Sequence, residues 1–182
     1  IADYTAVTKL PNAPVDAVVH ALINRAIAKD ALQDAQGGMA DYTAVTELPN
    51  ASTEGVAEAL LYRGMAKTRL QDPIGAIADY TAVIALPNVP VEELARALFN
   101  RAFTKGTLRD AEGAIVDYTT VTKLPDVPIR CMTKALSNRG VTKAVLQNLQ
   151  GAIDDYTAVT ELPEAPVDQV ATALFNRALA KR

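Results

Sequence analysis

The chain predicts an all-α fold, an array of antiparallel helix-turn-helix units stacked one on the next. Three observations point there. Asp-Tyr-Thr recurs at Asp3, Asp41, Asp79, Asp117 and Asp155, one copy every 38 residues without drift, the mark of identical supersecondary units. Apolar residues follow helical spacing, and helix start and stop signals recur in the same register.

The longer segment of the repeat runs, in the third copy, from about Pro90 to Leu108. Val91, Leu94, Ala95, Leu98, Phe99, Ala102 and Phe103 fall three or four apart, as on one face of an amphipathic helix, helix A. Pro90 suits its first turn, and Glu92 and Glu93 favour the positive end of the helix dipole. Pro14 with Asp16 and Pro166 with Asp168 repeat the plan, while the second copy offers a hydroxyl cap in Ser52-Thr53-Glu54.

The shorter segment begins at a capping residue: Asp34, Asp72, Asp110 or Asn148. It ends at Leu-Pro (Leu10, Leu48, Leu86, Leu124, Leu162), because the residue before proline is pushed out of the α region. Its β-branched interior, as in Tyr80-Thr81-Ala82-Val83-Ile84, makes a strand a rival. Ala76, Ile77, Tyr80, Val83 and Ile84 lie three or four apart, which strict alternation would not give. This is helix B. Gly37, Gly75, Gly113 and Gly151, each followed by a small residue, sit at its start, and a small position recurs in helix A at Ala26, Gly64, Ala102, Gly140 and Ala178. Small facing small is expected to let the two helices approach closely.

The register assigns 1–182 to a single array. Residues 1–11 are helix B of a truncated repeat; 12–49, 50–87, 88–125 and 126–163 are full repeats; 164–182 are helix A of another truncated one. Residue 1 is Ile and falls inside a repeat, which points to a fragment of a longer array.

Asn100-Arg101-Ala102, Leu108, Asp110, Gly113-Ala114-Ile115 and Asp117-Tyr118 together resemble a tetratricopeptide repeat. The resemblance spans the chain and implies a right-handed superhelical solenoid whose concave face, lined by helices A, binds peptides or proteins. The family's usual repeat has 34 residues. The four extra ones lie around Leu-Pro-Asn-Ala-Pro and the start of helix A, about one helical turn. The family's early aromatic of helix A is leucine here, and the aromatic one turn later is a recurring lysine.

The side chains expected to line that concave face are mostly apolar: Ile23, Ile27, Leu61, Met65, Phe99, Phe103, Val141, Phe175 and Leu179, with Ser137 polar. Asn24, Asn100, Asn138 and Asn176 interleave with them. Two readings stay open, a greasy groove for an amphipathic or extended segment, or a tightened superhelix with these residues as core. The asparagines and Lys134 match part of the carboxylate clamp by which some relatives hold chaperone tails. The clamp's first Lys and Asn positions are apolar here, and its arginine position is never Arg, so most of the clamp is missing.

Arg25, Arg63, Arg101, Arg139 and Arg177 each precede a lysine by four residues (Lys29, Lys67, Lys105, Lys143, Lys181), and such pairs repel. The aspartates Asp3, Asp41, Asp79, Asp117 and Asp155 are the natural counter-charges. They predict a structural Arg–Asp ladder, with the lysine stem over apolar surface; a basic track for phosphate or acidic peptides is the rival.

No catalytic constellation appears. His20 is the only histidine, so no metal site or histidine relay can be assembled, and no cofactor is implied. Cys131 is the only cysteine, read as a structural thiol and compatible with a reducing, cytoplasmic setting. Asp154 and Asp155 are adjacent and cannot flank a bond as catalytic carboxylates do. Gly37-Gly38 lacks the lysine of a phosphate-cradling loop. A net charge of −3 argues against nucleic acid, and no apolar run approaches a membrane span. Two functions remain: a non-enzymatic scaffold for a peptide or protein, or a structural element associating head to tail, the C-terminal helix A of one copy receiving the N-terminal helix B of the next.

Overall fold

The computed structural model describes residues 1–182 as ten α-helices. The B helices are α1 (Ala2–Lys9), α3 (Ala35–Glu47), α5 (Pro73–Ala85), α7 (Ala111–Lys123) and α9 (Leu149–Glu161). The A helices are α2 (Val15–Ala31), α4 (Thr53–Arg69), α6 (Val91–Thr107), α8 (Ile129–Val145) and α10 (Val167–Ala180). Helix period thus wins over β propensity in every B segment, because the apolar residues at three- and four-residue spacing find neighbouring helices to pack on.

Helix B starts as the sequence predicts. Asp34, Asp72, Asp110 and Asn148 are N-caps, each side chain accepting from the amide three residues on, at Gly37, Gly75, Gly113 and Gly151. Pro73 follows its cap directly. The glycines have a different job from the one expected. A Cβ on Gly37 would run into the Asp34 carboxylate, so these glycines make room for the cap rather than for helix A. The small side of the A–B contact is the next residue: a Cβ on Gly38 would meet the Ala26 carbonyl at 3.2 Å. The small position of helix A faces the tyrosine ring instead, at Gly64 over Tyr80 and Gly140 over Tyr156.

The start of helix A also differs. Pro14, Pro128 and Pro166 are the N-cap residues themselves, extended and without a side-chain cap, whereas Ser52 accepts from the Gly55 amide. The fixed φ of proline suits an N-cap as well as the first turn, since both lie near −60°.

The two kinds of turn are built on left-handed residues, none of them glycine. From A to B, the Gln33 amide reaches the Asp30 carbonyl (3.0 Å) and the Asp34 amide reaches the Lys29 carbonyl (2.9 Å), with Gln33 at φ 65°. That is a Schellman motif, in which Asp34 closes one helix and caps the next. From B to A, the Ala51 amide donates to the Leu48 carbonyl across Pro49 and Asn50, the latter at φ 62°. Proline second and a positive φ third define a type II turn.

Two compact units are present, Ile1–Glu93 and Leu94–Arg182. In the first, each helix from α1 to α5 packs on the next and α2 packs on α4. Its core gathers Val19, Leu22, Ile23 and Ala26 of α2, Tyr42 and Val45 of α3 and Ala59 of α4. In the second, α7 packs on α8, α9 joins α8 to α10, and α8 touches α10. Leu136, Ala152, Tyr156, Val159 and Ala173 form a core there. Along each interior helix B the aspartate, the tyrosine and the valine of Asp-Tyr-Thr-x-Val are buried, at i, i+1 and i+4. The threonine stays on the flank.

Candidate functional site

The recurring arginine sits in the middle of helix A and points at helix B of its own hairpin. Arg25 donates from Nε to Asp41 Oδ2 (2.8 Å) and from Nη2 to Oδ1 (2.7 Å). Arg63 holds Asp79 in the same fork, Arg101 holds Asp117, and Arg139 holds Asp155. Each pair is sixteen residues apart. The fork uses the planar match of guanidinium and carboxylate. Burial raises the Asp41 pKa, but hydrogen bonds from Arg25 and Lys29 outweigh it and hold the carboxyl below its ordinary value.

The lysine is not merely a stem over apolar surface. Lys29 Nζ lies 2.8 Å from Asp41 Oδ2, and Lys67, Lys105 and Lys143 take the same position on Asp79, Asp117 and Asp155. Lys29 also donates to the Gly37 carbonyl at 3.3 Å. One carboxylate thus offsets both cations of the repelling pair. Asp3 is exposed, and Arg177 bonds to threonines without an aspartate.

Sequence reasoning missed the third party. Arg25 Nη1 donates to Thr5 (3.1 Å) and Thr8 (3.3 Å) of α1, Arg63 to Thr43 of α3, Arg139 to Thr119 and Thr122 of α7, and Arg177 to Thr157 and Thr160 of α9. Each of these arginines therefore reaches back to helix B of the preceding repeat. The signal was present in the third letter of Asp-Tyr-Thr.

The residues expected on the concave face split by register. In the first unit Ile23 is 2% exposed and Leu61 fully buried, while Ile27 and Met65, one turn on, are 39% and 40% exposed. In the second unit Phe99 and Ser137 are partly and fully buried, and Phe103, Val141 and Leu179 are 43–54% exposed. Phe175, at the inner register of α10, is exposed. Core and open surface thus alternate along one helix, and both readings hold for different residues. Asn24 is exposed and donates to the His20 carbonyl; Asn100, Asn138 and Asn176 are half-buried. Lys134 is exposed.

His20 lies on the helix surface beside Asp16, Glu54 and Glu58, and no group of three or more His, Cys, Asp or Glu converges as metal ligands would. Cys131 is half-buried in the first turn of α8.

In the second unit a cleft of about 550 Å³ opens between α6 and α8, with α7 as its floor. Phe103, Val141, Val145 and Leu146 form apolar walls, and Tyr118 and Asn138 supply polar atoms.

Comparison with protein-family models gives no match, and comparison with curated proteins gives none. Solved structures do match. A tetratricopeptide repeat protein from Parabacteroides merdae ATCC 43184 superimposes with a TM-score of 0.71 over 90% of this chain, at 22% identity. The fold is a tetratricopeptide-type helical repeat. The chain spans 59% of that protein's length. MamA superimposes at 0.63 over 86% of this chain and 92% of its own, at 15% identity. In a tetratricopeptide-type array each helix packs on the next and each A helix on the following A, the order seen from α1 to α5 and from α7 to α10. No helix is long and apolar enough to cross a membrane. Head-to-tail self-association draws no support from either likeness.

Proposed function

We propose that this chain is a non-enzymatic scaffold whose A helices bind a peptide or protein segment, with 1–182 read as one array. The observation that carries the reading is the open register of helix A. Ile27, Met65, Phe103, Val141 and Leu179 each expose a large apolar side chain at the same place in the repeat. Folded proteins scatter single exposed apolar residues anywhere, but one per repeat in fixed register is a surface kept for contact. The half-buried asparagines one register away supply amides that can bond to a peptide backbone.

The Arg–Asp–Thr connections hold the scaffold rather than the ligand. Their donors and acceptors are already bonded to one another, which leaves little for a phosphate or an acidic peptide.

The test is a selection of displayed peptides on the intact chain, followed by calorimetry of the enriched sequences. Met65→Lys with Phe103→Lys should weaken binding by about tenfold or more while leaving the unfolding transition in place, since both residues are exposed. Failure to enrich any peptide, or undiminished binding by the double variant, would reject the reading.

A further inference from the structure

Two repeats before the cleft of the second unit, three larger side chains stand at the equivalent positions. Where the cleft has Gly106, Asn138 and Val145, the first unit has Asp30, Tyr62 and Arg69. There the Tyr62 ring stacks on Tyr42 (6.0 Å between centroids, 15° between planes). Arg69 reaches across to Asp30 at 2.7 Å, and the Tyr42 hydroxyl donates to the same carboxylate at 3.4 Å. Ring and ion pair fill the space between the A helices. In the second unit all three are replaced, and a Cβ on Gly106 would meet nothing within 4 Å.

The replacement also strands a donor. Tyr42 has Asp30, and for Tyr80 the residue at that position is Thr68, a hydroxyl side chain. The residue in that position for Tyr118 is Gly106, which has no side chain to offer. Tyr118 is 2% exposed, lines the cleft, and its hydroxyl has no protein partner. Burial, with Asp117 beside it, pushes that hydroxyl up to about 12, so it remains a donor at neutral pH. Arg109 lines the same cleft, exposed and in no ion pair.

A space of this size with apolar walls and a few convergent polar groups is what small-molecule sites look like. We propose that the cleft binds a small organic acid, its apolar body between Phe103, Val141 and Val145 and its carboxylate held by the Tyr118 hydroxyl and Arg109. A hydroxyl that lines the cleft without a protein partner favours a ligand that brings an acceptor, and the exposed guanidinium favours an anionic one. The cleft can hold such a ligand whether or not the exposed register of helix A binds a peptide.

The chain itself supplies the variants for the test. Arg109→Gln keeps the left-handed turn, because Gln33, Gln71 and Gln147 adopt it at φ 62–65°. Gly106→Thr with Asn138→Tyr copies Thr68 and Tyr62 into the cleft and closes it. Calorimetry on the full chain uses naphthalene-2-carboxylate and its neutral carboxamide as probes. The carboxylate should bind and the carboxamide about tenfold more weakly. Arg109→Gln and Tyr118→Phe should each cost the carboxylate about tenfold, and the closing double variant should bind neither, with thermal melts showing every variant folded. Absence of saturable carboxylate binding at millimolar concentration, equal binding of the two probes, or binding that survives closure overturns the proposal. So does a selected peptide that needs the open cleft when the carboxylate does not bind, which would give the cleft to the peptide instead.

Discussion

Arg25 and Asp41 meet through two parallel hydrogen bonds of 2.8 and 2.7 Å, and Lys29 closes on the same carboxylate from 2.8 Å. Asp41 is buried, so its loss strands two cations that sit one helical turn apart. Asp41→Asn keeps the shape and removes the charge, and should destabilise the fold by about 2–4 kcal/mol. Asp3→Asn alters the same letter of the motif at an exposed position and should change stability by less than about 0.5 kcal/mol. Urea unfolding of the two variants measures the contrast; equal effects would remove the salt bridge from the account of stability.

The same pair predicts an acid response. Burial alone would raise the Asp41 pKa, but the bonds from Arg25 and Lys29 lower it below 3.8 in the folded chain. A group depressed on folding contributes stability above its unfolded pKa and loses it as pH falls through the folded one. The stability gap between the native chain and Asp41→Asn should therefore be constant from pH 7 to 5 and narrow below about pH 4. Denaturant titrations at stepped pH read it directly, and a gap that widens in acid would contradict the assignment.

Arg139 links α8 to α7 as well as to α9, through Thr119 at 3.0 Å and Thr122 at 3.3 Å. Thr119→Val preserves shape and β-branching but removes the nearer acceptor, so about 1 kcal/mol should be lost. Thr122 can take over part of the bond, so the double change should cost more than the sum of the single ones. A mutant cycle with Arg139→Met tests whether the loss runs through the arginine.

Much of this was legible because identical repeats expose their own logic. A residue that recurs every 38 positions meets the same neighbours, so Arg and Asp could be matched by count alone. Periodicity also separated helix from strand against β propensity at Tyr80–Ile84. What stayed illegible depends on three-dimensional register. Thr43 carries no charge to announce its bond to Arg63, and Ile23 and Ile27 are equally apolar although one is core and the other surface. The cleft was hidden for the opposite reason. It arises where Gly106, Asn138 and Val145 break the pattern of Asp30, Tyr62 and Arg69, and a reading built on recurrence passes over departures.

Glycines in the A helices separate by what surrounds them. A Cβ on Gly64 would lie 2.6 Å from Cε1 of the buried Tyr80 ring, whereas one on Gly106 would meet open space. Gly106→Ala should stabilise by about 0.5–1 kcal/mol through helix propensity. Gly64→Ala should destabilise by about 1–3 kcal/mol, because the packed Tyr80 ring would have to shift and overpacking outweighs propensity. Matched thermal and urea melts give the sign of each, and a stabilised Gly64→Ala would mean that the tyrosine yields.

The type II turns offer a stabilising change that touches nothing else. Leu162, Pro163, Glu164 and Ala165 form the last of them, closed by the Ala165 amide on the Leu162 carbonyl at 3.3 Å. Glu164 stands there at φ 60°, where the equivalent residues are Asn12, Asn50, Asn88 and Asp126. A glutamate pays a steric cost in the left-handed region that asparagine largely avoids by bonding to its own backbone. Glu164 is exposed, so no packing is lost on replacing it. Glu164→Asn should raise stability by a few tenths of a kcal/mol, and Glu164→Gly by about 0.5–1 kcal/mol less the entropy glycine adds to the unfolded chain. Asparagine should therefore equal or exceed glycine in the urea midpoint. If both variants unfold earlier than the native chain, the turn draws on the glutamate side chain and the conformational account fails.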